Sequence, residues 1–364
     1  MDIRAALPTA LAAGSLLGAA VAGLNLPTLG LAAPIRVVAV ETSAAITWDI
    51  PIARNQFVQR FVDLFHEKQQ DRMALYLKRS GRYEGMIRGK LRERGMPEDL
   101  LYLSMIESGF NPNALSKASA VGLWQFMAGT ARDYGLRVDS HVDERRDPEK
   151  STDAALRYLE DLHRQFGSWS LAAAAYNSGG GRVARIMEEE TGAVKGAESD
   201  FWRIRGRLPA ETREYVPLMY AAALVGKEPQ KYGLDRVERL LPIETERIGV
   251  PGGTSLDVVG GAIGIEVGDL RELNPHLIRG ATPPGGDYDV IIPAGRSELF
   301  VANFAGPTVR GAVAAADRTH RVARGESLST IARRHGTSVA ALQRENSLGR
   351  RTLIRTGQVL RIPA

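Results

Sequence analysis

The spacing of apolar residues changes character near Gly226, and that change bounds the folds open to this chain. From Ile52 to about Gly226 apolar residues recur at helical intervals. In "FVQRFVDLFHEKQQDRMALYLKRS", Phe57, Phe61, Leu64 and Phe65 fall three and four residues apart or adjacent, the pattern of a helix with one buried face. Ser151 before "TDAALRYLEDLHRQF" reads as a cap followed by a helix, and Trp169 to Tyr176 as an alanine-rich helix that stops before "NSGGG". Beyond Leu240, short β-branched runs ("VIIPAG", "VLRIPA") alternate with Gly/Pro turns and short helices, the texture of small α+β units. The 364 residues leave room for one domain of catalytic size and one or two small ones.

The second texture contains a repeat. Gly253-Thr254-Ser255-Leu256 is followed nineteen residues after Ser255 by Asn274; Gly325-Glu326-Ser327-Leu328 is followed nineteen after Ser327 by Asn346. Each copy closes on Ile-Pro-Ala, at Ile292-Pro293-Ala294 and Ile362-Pro363-Ala364, and the stretch between them is rich in Ala, Gly and small polar residues. Shared spacing of this kind marks duplicated modules. Ser327 suits a helix N-cap, Thr337-Ser338 opens a second helix, and Val359 to Ile362 alternates like a strand. The expected order is strand, helix, helix, strand.

Compartment is read from the N-terminus, because the chain has no cysteine and so neither a disulfide nor a lipid-modified cysteine. A short lead to Arg4 precedes an apolar, alanine-rich run from Ala5 to Ala22 broken by Pro8, Gly14 and Gly18, which reads as a secretory signal. Ala20-Val21-Ala22 fits a cleavage site, with Leu31-Ala32-Ala33 as a second choice; an uncleaved leader would associate the protein with a membrane. Lys and Arg number 47 against 42 Asp and Glu, a net charge of +5 that suits a polyanionic partner. There is no basic run with interleaved aromatics, so nucleic acid is not expected, and no Cys/His metal spacing, so no metal or cofactor is expected either. An acidic cell-wall polymer would suit the charge.

Within "ESGFNPNALSKASAVGLWQF", residues 107–126, Glu107 is the one acid in twenty residues. Pro97 suits the first turn of a helix whose residues Leu100 to Ile106 are apolar except for Ser104, so that helix should be buried, with Gly109 ending it. Glu107 falls in its last turn. Burial and the negative end of the helix dipole both disfavour a carboxylate, so its pKa should rise, as a general acid for a glycosidic oxygen requires. A surface helix end or a partner arginine would be the plainer explanation for a lone glutamate. Against it stand Gly122-Leu123-Trp124-Gln125, then "AAAAYNSGGGRV" and "ETREYVP" further along.

In this order these motifs resemble the soluble lytic transglycosylase family from about Met96 to Leu224. Residues 319–363 similarly resemble the LysM domain, which recognises N-acetylglucosamine in peptidoglycan or chitin. The resemblance implies a multidomain protein: a mainly α, lysozyme-like catalytic domain followed by small α+β (βααβ) LysM modules. The boundaries expected are a leader at 1–33, a helical extension at 34–95, the catalytic domain at 96–226, a degenerate LysM-like module at 247–295 with a weak opening strand and a Pro-Gly insertion, a linker at 296–318 and a LysM domain at 319–364. It implies Glu107 as catalytic acid/base, with Ser108, Ser116, Gln125, Met127, Tyr176, Asn177 and Tyr215 binding substrate. In the LysM copy Gly325, Glu326, Ser327 and Asn346 would contact sugar.

Ala128 stands where the family usually has a proline. Trp124, Trp169 and Trp202 could be core residues or sugar platforms. Ordinary glycosidases use two carboxylates, yet Asp133, Asp139, Asp143 and Asp147 carry no matching signal. The family's chemistry needs one acid, because the muramic C6 hydroxyl attacks its own C1 and leaves a 1,6-anhydro end. The implied role is cell-wall remodelling in the periplasm or envelope of a bacterium, with peptidoglycan as partner. A hydrolytic muramidase on the same fold, or a non-catalytic LysM wall-binding protein, are the alternatives.

Overall fold

The computed structural model describes residues 47–304 and 319–362, apart from 324, 325, 336, 347, 350 and 351. The leader, the start of the helical extension, most of the expected linker and Gly325 therefore lie outside the described residues. The chain divides into two compact units, one holding 144–242 with the chain up to Arg137, the other holding 138–143 and the chain from Ile243 onward.

The first unit is helical. Helix α1 (Gln56–Asp63) starts where Asn55 accepts from the backbone N–H groups of Phe57 and Val58, continues into a π-helical turn at Leu64–Lys68, and is followed by α2 (Gln70–Glu93). A 3₁₀ turn at Glu98–Leu100 leads into α3 (Leu101–Ser108), and α4 is the short Ala128–Asp133 helix. Helix α5 (Pro148–Phe166) begins three residues earlier than the Ser151 cap expected from sequence. Its N-cap is Asp147, which accepts from the Glu149 and Lys150 N–H groups, and Pro148 takes the first-turn position where its missing N–H costs nothing. Ser151 is a buried helical residue instead.

Helix α6 (Trp169–Ser178) runs on past Tyr176, and Gly179 serves as its cap before α7 (Gly180–Thr191), so the glycine run punctuates two helices rather than opening a long loop. Helices α8 (Glu198–Ile204) and α9 (Ala210–Lys227) complete the unit. Leu171 to Ala175 of α6 are all inaccessible, and α6 packs against α5, α7, α8 and α9. Alanine at the centre lets four helix backbones approach closely. Helix α9 in turn packs on α1, α3 and α6. The helices at the N-terminal side, α1 and α2, thus belong to the same compact unit as the helices that carry the motifs.

The second unit contains two modules. In the first, β1 (Thr245–Val250) pairs antiparallel with β2 (Tyr288–Pro293), flanking α10 (Leu256–Ile263) and α11 (Val267–Leu273), while α12 (Ser297–Asn303) packs back on α10. The opening strand expected to be weak is a six-residue strand paired along its whole length, from Thr245↔Pro293 to Val250↔Tyr288. Its charged residues read poorly as a strand because all but Val250 keep some contact with solvent. Val142, Val250, Leu256, Val259, Ile263, Leu270, Val290, Ile292 and Phe300 form this module's core. Helix α12 begins where the linker was expected.

The second module has the expected order: β3 (Thr319–Arg321), α13 (Leu328–Arg334), α14 (Val339–Glu345) and β4 (Val359–Arg361), with β3 and β4 antiparallel. Leu328, Ile331, Leu342, Leu360 and Ile362 fill its core.

Candidate active site

Helix α3 is short and apolar: Leu101 through Ile106 are all buried. It stops at Gly109, whose φ of 57° lies in the left-handed region and whose missing Cβ leaves room for the Tyr76 ring, 2.0 Å from where that Cβ would sit. Glu107 is therefore held in the last turn of a buried helix, keeping partial access to solvent. Burial pushes its carboxyl up to about 8; a hydrogen bond from Tyr215 opposes that shift, and the negative charge of Glu211 adds to it. The rise expected from sequence is present, and burial is its main cause.

Helix α9 supplies the partners. Tyr215, nearly inaccessible, donates its hydroxyl to Glu107 Oε1 at 2.5 Å, across 108 residues of sequence. Pro217 two residues later cannot donate to the Arg213 carbonyl, and Arg205 Nε does so instead at 3.0 Å. From α6, Tyr176 has its pKa raised by burial first and by the nearby Glu107 charge second, and its hydroxyl donates to the Trp124 carbonyl at 2.8 Å. Asn177 faces α9: Thr212 Oγ1 donates to Asn177 Oδ1 at 2.8 Å, and Asn177 Nδ2 makes a longer contact of 3.4 Å with Glu211 Oε1.

The segment 110–127 has no helix or regular strand, only isolated bridges at Leu115–Val121 and Val121–Phe126. Phe110, Ser119 and Gln125 all have positive φ, and Gly122, at φ +87°, sits so close to the Arg145 carbonyl that a Cβ would fall 1.8 Å from it. Arg145 Nη1 holds the segment from the other side, donating to the Ser119 and Phe126 carbonyls at 3.0 Å each. Strain of this kind persists where surroundings over-determine it, and functional sites are where it gathers.

Gln125 uses its amide nitrogen on the Gly122 carbonyl (2.9 Å) and the Ala114 carbonyl (3.3 Å). Ser108 donates to the Leu123 carbonyl at 2.9 Å, and Ser116 accepts from Ala120 N–H at 2.9 Å. Both serine hydroxyls thus brace the segment. Met127 is the N-cap residue of α4, and Ala128 takes the first helical position, one that proline also favours, so the family's usual proline and this alanine serve the same turn. Trp124 is a core residue, inaccessible and donating to Thr152 Oγ1 at 2.9 Å; Trp169 and Trp202 remain half-buried.

The residues named from the LysM resemblance lie in the second unit. Glu326 accepts from Ala323 N–H and His320 Nε2, the two contacts that chiefly hold its carboxyl down to about 2, and it pairs with Arg334. Ser327 caps α13 by accepting from Thr330 N–H, and Asn346 Nδ2 donates to the Leu342 carbonyl at 2.9 Å. Among the described residues no group of three or more His, Cys, Asp or Glu side chains is arranged to hold a metal ion.

Two residues of the helical cluster were not foreseen, Glu211 and Thr212. Both lie in "ETREYVP", and the one signal for them was their place one turn before Tyr215 on the same helix face.

Residues 85–197 match the family described as Transglycosylase SLT domain, residues 320–363 match the LysM domain, and residues 244–306 match the family described as Lytic transglycosylase MltD, LysM-like domain. The chain resembles membrane-bound lytic murein transglycosylase D of Escherichia coli (strain K12), 34% identical over 296 residues that cover 78% of this chain. It spans 63% of that relative's length. Membrane-bound lytic murein transglycosylase C of Edwardsiella ictaluri is 33% identical over 129 residues, covering 32% of this chain and 36% of that protein. A solved structure of an inactive mutant of lytic transglycosylase Slt from Pseudomonas aeruginosa aligns with a TM-score of 0.33 and 27% identity, over 43% of this chain and 26% of that one.

Proposed function

We propose that this protein is a peptidoglycan lytic transglycosylase, cleaving the β-1,4 bond between N-acetylmuramic acid and N-acetylglucosamine and leaving 1,6-anhydromuramic ends. The observation that carries this reading is Glu107: a carboxyl raised to about 8 by burial, hydrogen-bonded by Tyr215, beside the braced segment 110–127. Near neutral pH it holds a proton and can give it to the glycosidic oxygen as the C1–O bond breaks. The resulting carboxylate then takes the proton of the C6 hydroxyl while that oxygen bonds to C1, which returns Glu107 to its starting state. Gln125, Asn177, Ser108, Ser116, Met127 and Tyr176 shape the cleft, Tyr215 directs the Glu107 carboxyl, and near-attack placement of the C6 oxygen supplies much of the rate.

The 319–364 module binds N-acetylglucosamine in the wall, with Glu326, Ser327 and Asn346 among its sugar contacts, while the earlier module binds less or not at all and serves mainly as a spacer. The helical extension joins the catalytic unit and the first module runs from β1 through α12, while the remaining domain limits follow the sequence reading. The leader at 1–33 supports export to the periplasm, and if retained it would tether the protein to a membrane; among the described residues no helix is long and apolar enough to cross one.

One observation favours a second reading, a hydrolytic muramidase. Glu211 brings a second acidic side chain near Glu107, and two-carboxylate sites hydrolyse. Mass spectrometry of the products from purified sacculi separates the two, because an anhydro end is lighter by one water than a reducing end. In the same assay Glu107→Gln should lower turnover by about 10²–10⁴-fold while the variant still folds. Near-wild-type turnover by that variant would remove Glu107 from the chemistry.

A further inference from the structure

The polar cluster on α9 does more than direct Glu107. Glu211, Thr212 and Tyr215 project toward α3 and α6 within little more than one helical turn, and Tyr215 and Glu211, four residues apart, share a face. We propose that Glu211 is a positioning residue for the reaction proposed above, on which this inference rests: it fixes the side-chain amide of Asn177 in the cleft and keeps a like charge beside Glu107.

The first half of this role follows from donor and acceptor chemistry. An ionised carboxylate only accepts, so the nitrogen of Asn177 must face Glu211, at 3.4 Å, and its oxygen must face the Thr212 hydroxyl, at 2.8 Å. The amide is thereby held in one of its two orientations. One N–H and one lone pair of Asn177 remain for substrate. Thr212, nearly inaccessible, has little freedom to release its end of the contact.

The second half follows from which neighbours carry charge. The titratable groups acting on Glu107 are Tyr215 and Glu211 from α9 and Tyr176 from α6, with the Tyr158 ring of α5 tilted against Tyr176 at 5.1 Å between centroids and Tyr76 of α2 against Gly109. The tyrosines are held neutral by burial. Glu211 is the charged member among the described residues, and its neighbours on α9 are engaged elsewhere: Arg213 donates to the Gly206 and Leu208 carbonyls, and Glu214 pairs with Arg60 and Arg205.

A like charge raises the proton affinity of Glu107 in both halves of the reaction. It keeps the acid loaded before cleavage, and it strengthens the carboxylate as a base when the C6 hydroxyl must be deprotonated.

The test uses the full chain on purified sacculi across pH 5 to 9, with Glu211→Gln, Glu211→Ala and Thr212→Val. Both Glu211 variants should move the alkaline limb of turnover to lower pH by about one unit, so that turnover at pH 9 falls about tenfold more than at pH 5. Thr212→Val, which disturbs the amide and leaves the charge, should lower turnover at every pH with the limb in place. Carbon-13 NMR of glutamate-labelled protein, with the Glu107 resonance assigned by its absence in Glu107→Gln, should show the same downward move in both Glu211 variants without any turnover. An unmoved Glu107 resonance in both Glu211 variants overturns the charge role, and wild-type turnover in Thr212→Val overturns the amide role. Hydrolysed products or an active Glu107→Gln would overturn the reaction itself, which the NMR titration does not depend on.

Discussion

Glu107 is an acid that the fold makes weaker, and this has a cost in stability that can be measured. The folded protein holds the Glu107 proton up to about pH 8, whereas an unfolded chain releases it near the ordinary value of 4.5. Below the lower value both states are protonated and nothing is lost. Between the two the unfolded state binds fewer protons, so stability falls as pH rises, by about 1.4 kcal/mol for each unit of displacement. Glu107→Gln removes the titrating group while keeping an acceptor for the Tyr215 hydroxyl. Its unfolding free energy should exceed that of the wild type at pH 8, by a few kcal/mol at most, and the two should converge toward pH 4.5 in urea unfolding. A difference that stays constant over this range would mean that burial of Glu107 is not what weakens it.

Helix α9 shows how an apparent fault in an element is repaired from outside it. Pro217 lies in the helix interior, where proline removes an intrahelical bond. The freed Arg213 carbonyl is taken by Arg205, whose guanidinium also pairs with Glu214 at 2.9 Å and lies 3.7 Å from the centre of the Phe57 ring. Arg205 therefore ties α1 and the turn after α8 to the helix that presents Tyr215. Arg205→Ala should strand that carbonyl and destabilise the protein by about 1–3 kcal/mol in urea unfolding. Lysine should rescue little, because it lacks the planar fork that reaches carbonyl, carboxylate and ring together. Unfolding midpoints within experimental scatter of the wild type for both variants would rule out this account of Pro217.

Across the whole molecule, the repeat explains itself in the two modules. Ser255 and Ser327 cap the first helix of each copy, and Asn274 and Asn346 each donate to the carbonyl four residues back, closing the second helix at Leu270 and Leu342. Asn274 also bonds both ways with Ile291 of β2, at 2.6 and 2.8 Å, so it locks helix to strand. The nineteen-residue interval is thus the length of chain between two structural polar side chains. If the 319–364 copy serves as a wall anchor, its removal lowers effective concentration at the wall without touching Glu107. Activity on sacculi should then fall far more than activity on short soluble glycans, and equal losses on both would assign the module to stabilising the enzyme instead.

Much of this was legible in residue order. Helical period, the glycine after Glu107, the repeat and the ordered motifs are local properties, set by neighbours a few residues apart, and they led to the helical unit, the βααβ modules and a Glu107 in the last turn of a buried helix. The helix starts were less legible: Asp147-Pro148 outranked Ser151 as a cap, and β1 concealed a paired strand behind charged residues that stay only half-buried. What only the tertiary structure decided is which groups meet. Tyr215 reaches Glu107 across 108 residues, and Glu211 approaches it because α9 packs on α3. Ser108 and Ser116, expected at the substrate, spend their hydroxyls bracing a segment whose shape depends on Arg145. Burial, charge proximity and hydrogen-bond satisfaction are sums over spatial neighbours, so the chemistry of Glu107 belongs to the fold even though its position belongs to the sequence.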